Sequence, residues 1–218
     1  KMEVSTSVLT VKKDNCIKTF YNLEAAGTDY FHIDVMDGKF VEDDTSALMK
    51  EYCEYLNSIT NVPLDVHLMV SDVMSYINSY LVYEPRCITV HYEAAKDREQ
   101  LMNWINYIKE NNIKVGISVK PQTDIKEIYE LLPYIHVVLI MTVEPGKGGQ
   151  ALIPDTIEKI SKLNEYRQQN NLEFDIEADG GINSENIEKM REAGCDIVVA
   201  GTYIVNSENY KEAINSLK

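Results

Sequence analysis

Short apolar runs bounded by turn residues alternate along the chain with longer stretches whose apolar positions recur every three or four residues. The first kind reads as buried strand and the second as helix packed on one face. A strand from Glu3 to Leu9 leads to a helix over about Asp14 to Ala26, closed by Gly27 where a left-handed residue is wanted. A second strand carries Phe31 to Gly38, and the helix from Ser46 to about Ile59 stops at Asn61-Val62-Pro63. The alternation continues with strands Leu64 to Met69, Cys87 to His91 and Lys114 to Val119, separated by helices over Asp72 to Val82 and Asp97 to Asn111. A helix over Asp124 to Leu132 precedes a strand from His136 to Met141. Helices at Pro154 to Gln169, Ser184 to Ala193 and Glu208 to Leu217 then flank strands at Glu173 to Ala178 and Asp196 to Ala200. Eight such units in 218 residues require parallel pairing through crossover helices and predict an α/β fold, a closed (β/α)8 TIM barrel. A doubly wound open sheet is the runner-up. No linker or low-complexity segment interrupts the pattern, so one domain over residues 1–218 is expected.

Composition narrows the partners. A formal net charge of −14 disfavours nucleic acid and anionic membrane, which are bound through Lys and Arg. Any anionic substrate must therefore be captured locally. No run of 18 apolar residues and no basic-apolar leader is seen, so a soluble cytoplasmic protein, assembled as a homo-oligomer, is expected. Cys16, Cys53, Cys87 and Cys195 are scattered without Cys-x-x-Cys pairing and read as free thiols of the core.

Candidate chemistry gathers where the predicted strands end. In an extended strand, side chains two apart share a face, so His32, Asp34 and Met36 point one way and Ile33 and Val35 the other. A carboxylate on such a face needs a cation, a partner or solvent. In a barrel all strand C-termini lie on one side, which brings together Ser7, His32, Asp34, Asp65, His67, His91, Glu93 and Asp179. Two imidazoles and two aspartates drawn from such a set suit one divalent transition metal, namely zinc, iron(II), manganese or cobalt. His91 reads as an outer hydrogen-bond partner or packing residue, and Asp65 and Glu177 as interior polar layers. Met36, Met69 and Met141 end three strands and offer an apolar lining, a role methionine also fills in ordinary cores. Gly146-Lys147-Gly148-Gly149, Gly180-Gly181 and Gly201-Thr202 follow strands six, seven and eight, where glycine lets backbone N–H groups approach a phosphate.

Four strings carry a resemblance. His32-Ile-Asp-Val-Met-Asp-Gly-Lys-Phe-Val41, Leu64-Asp-Val-His-Leu-Met-Val70, Met141-Thr-Val-Glu-Pro-Gly-Lys-Gly-Gly-Gln150 and Glu177-Ala-Asp-Gly-Gly181 resemble the signatures of the ribulose-phosphate 3-epimerase family, in the family's order. The resemblance implies His32, Asp34, His67 and Asp179 as metal ligands, Asp34 and Asp179 as the acid/base pair, and Ser7 as a substrate contact. It also implies a methionine lining of Met36, Met69 and Met141, and a phosphate grip of Gly146, Gly148, Gly149, Gly180, Gly181, Gly201 and Thr202. The implied reaction is metal-dependent epimerisation of D-ribulose 5-phosphate to D-xylulose 5-phosphate through an enediolate, with no redox cofactor.

Three loop positions depart from the family pattern, at Glu42-Asp43, Gln122 and Lys147, and they bear on substrate identity rather than chemistry. An epimerase of another phosphoketose, such as allulose 6-phosphate, shares every motif. A non-catalytic phosphate-binding barrel has no need of both Asp34 and Asp179. Related decarboxylase and synthase barrels resemble Asp-x-Lys-x-x-Asp, whereas Met36 holds the lysine position here.

Overall fold

The computed structural model describes residues 1–218. Eight parallel strands close into a barrel in sequence order: β1 (Glu3–Ser7), β2 (Tyr30–Met36), β3 (Leu64–Met69), β4 (Cys87–His91), β5 (Lys114–Val119), β6 (Val137–Met141), β7 (Asp175–Asp179) and β8 (Ile197–Ala200). The ring closes by pairing Glu3 to Thr6 with Ile197 to Ala200. Helices α1 (Cys16–Ala25), α2 (Ser46–Ile59), α3 (Val73–Leu81), α4 (Arg98–Glu110), α5 (Asp155–Gln169), α6 (Ile187–Ala193), α7 (Thr202–Val205) and α8 (Tyr210–Leu217) follow the strands in the expected alternation. No helix is long and apolar enough to cross a membrane.

The strands are buried on both faces for two different reasons. Outward residues such as Ile33, Val35, Val66, Leu68, Ile140 and Ile176 pack under the helices and are fully buried. Each such side chain contributes about 1.5–3 kcal/mol relative to exposure, so the strand bounds follow the apolar runs closely. Inward residues form the polar interior. Register pairs His32 with Asp65 and Asp34 with His67, a checkerboard in which each imidazole has a carboxylate beside it on the next strand.

Several boundaries differ from the sequence reading, each with a local cause. After β5 the predicted helix is a run of 3₁₀ turns, Ile125–Tyr134. Three of its four buried residues, Ile125, Ile128 and Leu131, recur every third position, as three residues per turn requires, with Leu132 beside the last, and Pro133 sits inside it. β1 stops at Ser7 because the Ser7 hydroxyl accepts the Leu9 N–H at 3.2 Å and turns the chain. α6 starts at Ile187 rather than Ser184, since the Asn183 side chain accepts the N–H groups of Glu185 and Asn186 in a turn. Asn209 caps α8 through the Glu212 N–H at 3.1 Å and delays it to Tyr210. β7 begins later and ends later than expected, so Asp179 is its last residue rather than a loop residue.

All four cysteines are buried and unpaired, and burial raises every one of their thiol pKa values, that of Cys53 to about 12. Thiolate is the reactive form. Ellman titration of the folded chain should therefore find no rapidly reacting thiol, with all four appearing in guanidinium chloride; a fast native thiol would contradict the core placement.

Candidate active site

The register of β2 and β3 sets two histidines side by side, and their outer contacts decide which ring nitrogen faces inward. His32 Nδ1 lies 2.9 Å from Asp65 Oδ2, and that carboxylate is held in turn by the Ser5 hydroxyl at 2.9 Å. Its Nε2 therefore points the other way, 3.2 Å from Asp34 Oδ1 and 3.4 Å from Asp179 Oδ2. His67 uses the opposite nitrogens. Its Nε2 meets His91 Nε2 at 2.9 Å, and its Nδ1 lies 3.5 Å from Asp34 Oδ1 and 3.3 Å from Asp179 Oδ2. One donor atom from each of His32, Asp34, His67 and Asp179 falls within 4.8 Å of the others.

His32 Nε2 and His67 Nδ1 are buried and make no hydrogen bond. Two orphaned imidazole nitrogens facing two carboxylate oxygens form a mixed N/O donor set of the kind that zinc, iron(II), manganese and cobalt accept. The residues fit a divalent cation. Burial opposes charge on His32, yet Asp34 and Asp65 outweigh it and raise its pKa well above the ordinary value; His67 is raised too, against its burial, by Asp179 and Asp34. Burial likewise opposes charge on Asp34, but His32 and His67 hold its pKa low. Beneath them Glu177 is raised well above its ordinary value by burial and by the neighbouring Asp65. His91 is pushed down to about 4, chiefly by burial, and Glu93 is lowered to about 2 against its burial by its bonds to His91 and Thr123.

Above this layer opens a cavity of about 840 Å³. Asp34 and Asp179 reach its floor, while His32 and His67 lie fully buried below. Ser7 lines the floor and donates from Oγ to Asp34 Oδ2 at 2.6 Å, so it orients a carboxylate as well as facing the cavity. Met36, Met69 and Met141 ring the same floor and are each at most 3% exposed. Gly146, Gly148, Gly149, Gly180, Gly181, Gly201 and Thr202 line the far wall, together with Lys147 and Lys189. The N–H groups of Gly180, Gly181 and Gly201 donate to no acceptor of the chain. Gly181 has φ +70°, and a Cβ there would stand 2.4 Å from the Leu152 backbone nitrogen, so only glycine brings the backbone this close.

Several supporting residues escaped the sequence reading. The Thr45 hydroxyl donates to Asp34 O at 2.6 Å and accepts the Met36 N–H at 3.0 Å, which pins the end of β2. Thr142 Oγ1 donates to Gly180 O at 2.5 Å and anchors the glycine wall. Asp37 turns away from the cavity and accepts the N–H groups of Lys39, Phe40 and Ser71, tying the β2 and β3 loops together. Hydroxyl and acidic residues after strands are too common for sequence to single these out. The departing positions serve loops as well: Gln122 hydrogen-bonds Glu144, and the Asp43 carbonyl accepts the Gly38 N–H.

Among solved structures, 3-hexulose-6-phosphate synthase from Salmonella typhimurium superposes with TM-score 0.71 at 16% identity, covering 99% of this chain and 96% of the other. A 3-keto-L-gulonate-6-phosphate decarboxylase from Vibrio cholerae gives TM-score 0.71 at 12% identity, covering 100% and 95%. These likenesses establish the TIM-barrel fold. Sequence goes further. A ribulose-phosphate 3-epimerase from Helicobacter pylori is 34% identical over 217 residues, 100% of this chain and 97% of its own length. One from Methanocaldococcus jannaschii is 33% identical over 217 residues, 100% of this chain and 90% of its own. The profile of the ribulose-phosphate 3 epimerase family matches residues 3–205, a span that contains every strand, both aspartates and the glycine wall. With a match of that extent, the chain belongs to the ribulose-phosphate 3-epimerase family, enzymes that isomerise carbohydrates.

Proposed function

We propose that the chain interconverts D-ribulose 5-phosphate and D-xylulose 5-phosphate, with Asp34 and Asp179 moving the proton on C3. The observation that carries this reading is the pair itself: two carboxylates from β2 and β7 reach one cavity floor, within 4.8 Å of each other at their nearest donor atoms. One takes the C3 proton, the electron pair of that bond passes to the C2 oxygen, and the other carboxyl returns a proton to the opposite face of C3. Ser7 holds Asp34 in aim through its 2.6 Å hydrogen bond. Met36, Met69 and Met141 keep water from the electron-rich intermediate.

His32 Nε2, His67 Nδ1, Asp34 and Asp179 would hold a divalent transition metal, which when bound supplies Lewis-acid charge beside the substrate's oxygens. His32 and His67 are fully buried, and polar contacts in such low-dielectric surroundings are stronger than in solution. No redox cofactor enters this scheme, because the electron pair returns to the carbon it left and a second proton replaces the one removed.

The substrate phosphate is gripped by the free N–H groups of Gly180, Gly181 and Gly201, with Thr202 beside them and Gly146, Gly148 and Gly149 closing the loop above. Capture by backbone N–H suits a chain of net charge −14. A Cβ at Gly201 would lie 3.2 Å from Ser7 Cβ, so Gly201→Val crowds the grip. Losing one or two charge-assisted hydrogen bonds, at about 1.5–3 kcal/mol each, should raise KM for ribulose 5-phosphate by about 10–100-fold or more while metal content stays unchanged. An unaltered KM would place the phosphate elsewhere. Turnover measured across a panel of phosphoketoses tests the substrate directly: ribulose 5-phosphate should lead, and preference for allulose 6-phosphate would reassign it.

A further inference from the structure

Both candidate metal-binding histidines are backed by a carboxylate, but by different routes. His32 meets Asp65 directly. His67 reaches Glu93 only through a second imidazole: His67 Nε2 to His91 Nε2 at 2.9 Å, then His91 Nδ1 to Glu93 Oε1 at 3.0 Å. Glu93 stands in the 3₁₀ turn Tyr92–Ala94 after β4, and its other oxygen accepts the Lys120 N–H at 2.7 Å and the Thr123 hydroxyl at 2.5 Å. The line is also packed from above. The Phe40 ring lies 5.0 Å from that of His91, with the Lys120 ammonium 4.6 Å from the Phe40 centroid.

Hydrogen-bond direction along this line is determined at one end. Glu93, held low by its bonds to His91 and Thr123, is ionised and can only accept, so His91 carries its proton on Nδ1. Neutral His91 then offers a lone pair at Nε2. Two ring nitrogens 2.9 Å apart need one proton between them, so His67 must carry its proton on Nε2. On a neutral His67 the lone pair is then on Nδ1, the nitrogen that faces Asp34 and Asp179.

We propose that His91 and Glu93 are positioning residues for His67, fixing its proton on Nε2 and so presenting Nδ1 as a ligand. The inference rests on the metal site described above. It adds that the β5 loop, through the Lys120 N–H, sets the donor nitrogen of a residue on β3. Replacing Glu93 by Gln should reverse the line, because the Lys120 N–H still needs an acceptor. The new amide would turn its oxygen to Lys120 and its nitrogen to His91, which would then donate to His67 and push the His67 proton onto Nδ1.

The test is the affinity of metal-stripped protein for Co(II), measured by competition with a chromophoric chelator, with the thermal midpoint of each metal-free variant recorded separately. Glu93→Gln and His91→Phe should each weaken Co(II) binding by about 10–100-fold, the usual effect of losing an outer partner of a ligand. His91→Gln keeps an acceptor for the His67 Nε2–H and should bind close to wild type. Thr123→Val removes one anchor of Glu93 but leaves the line intact, and should also bind as wild type. Wild-type affinity in both Glu93→Gln and His91→Phe would overturn this inference alone. So would a His91→Gln variant as weak as His91→Phe, since packing and not proton direction would then be at stake. A wild type that binds no Co(II) would overturn the metal site and this inference together.

Discussion

Asp179→Asn, assayed at saturating metal, is expected to lose about 10²–10⁴-fold in epimerisation rate, the usual share of a positioned acid/base group. Asn keeps the shape and one oxygen but neither takes nor gives the C3 proton. The same loss is expected for Asp34→Asn, and the two should fail equally in both directions, because a carboxylate that is base toward one epimer is acid toward the other. Both groups also belong to the donor set, within 4.8 Å of His32 Nε2 and His67 Nδ1, so metal affinity should fall as well. Saturating metal separates the two effects. A metal-replete Asp179→Asn enzyme of full activity would remove Asp179 from the reaction while leaving the barrel standing.

Stripping the metal is expected to have the second largest effect. Protein purified without chelator should carry one equivalent of divalent transition metal per chain, and its removal should abolish turnover. The site lies in the barrel floor, where His32 and His67 are fully buried, so a metal held there would bind only the folded chain and stabilise it. At about a thousandfold excess over Kd this linkage contributes about 4 kcal/mol. For a chain of this size, about 2–4 °C per kcal/mol makes that a fall of about 8–16 °C in thermal midpoint on chelation. Barrel closure needs no metal, since β1 pairs with β8 by backbone hydrogen bonds, so the stripped chain should remain folded. Less than about a tenth of an equivalent, with no stimulation by added metal, would count against the site.

The fold was legible because each strand is apolar on its outward face and each connection reads as a helix. β3, β4, β5 and α2 coincide with their predicted bounds, since apolar runs end there at Pro63, Pro121 and similar stops. The segment after β5 was misread because Ile125, Ile128, Leu131 and Leu132 satisfy a helical pattern as readily as the 3₁₀ turns they make. Candidate site residues were visible where one strand carries two of them, as with His32 and Asp34. What stayed hidden were partnerships between distant segments: Asp37 with the Ser71 N–H, Thr142 with Gly180 O, and Glu93 with the loop after β5. Such pairs depend on which loops the closed barrel makes neighbours, and no spacing along the chain records that.

Proton transfer between two carboxylates is read most directly from solvent isotope. Turnover of ribulose 5-phosphate in heavy water, followed by mass and NMR analysis of the xylulose 5-phosphate formed, reports the origin of the C3 hydrogen. If Asp34 and Asp179 stand on opposite faces of the substrate, the hydrogen delivered is not the one removed, and each product molecule carries one deuterium at C3. Product that keeps its original hydrogen at C3 would mean direct transfer, and would contradict the two-carboxylate site.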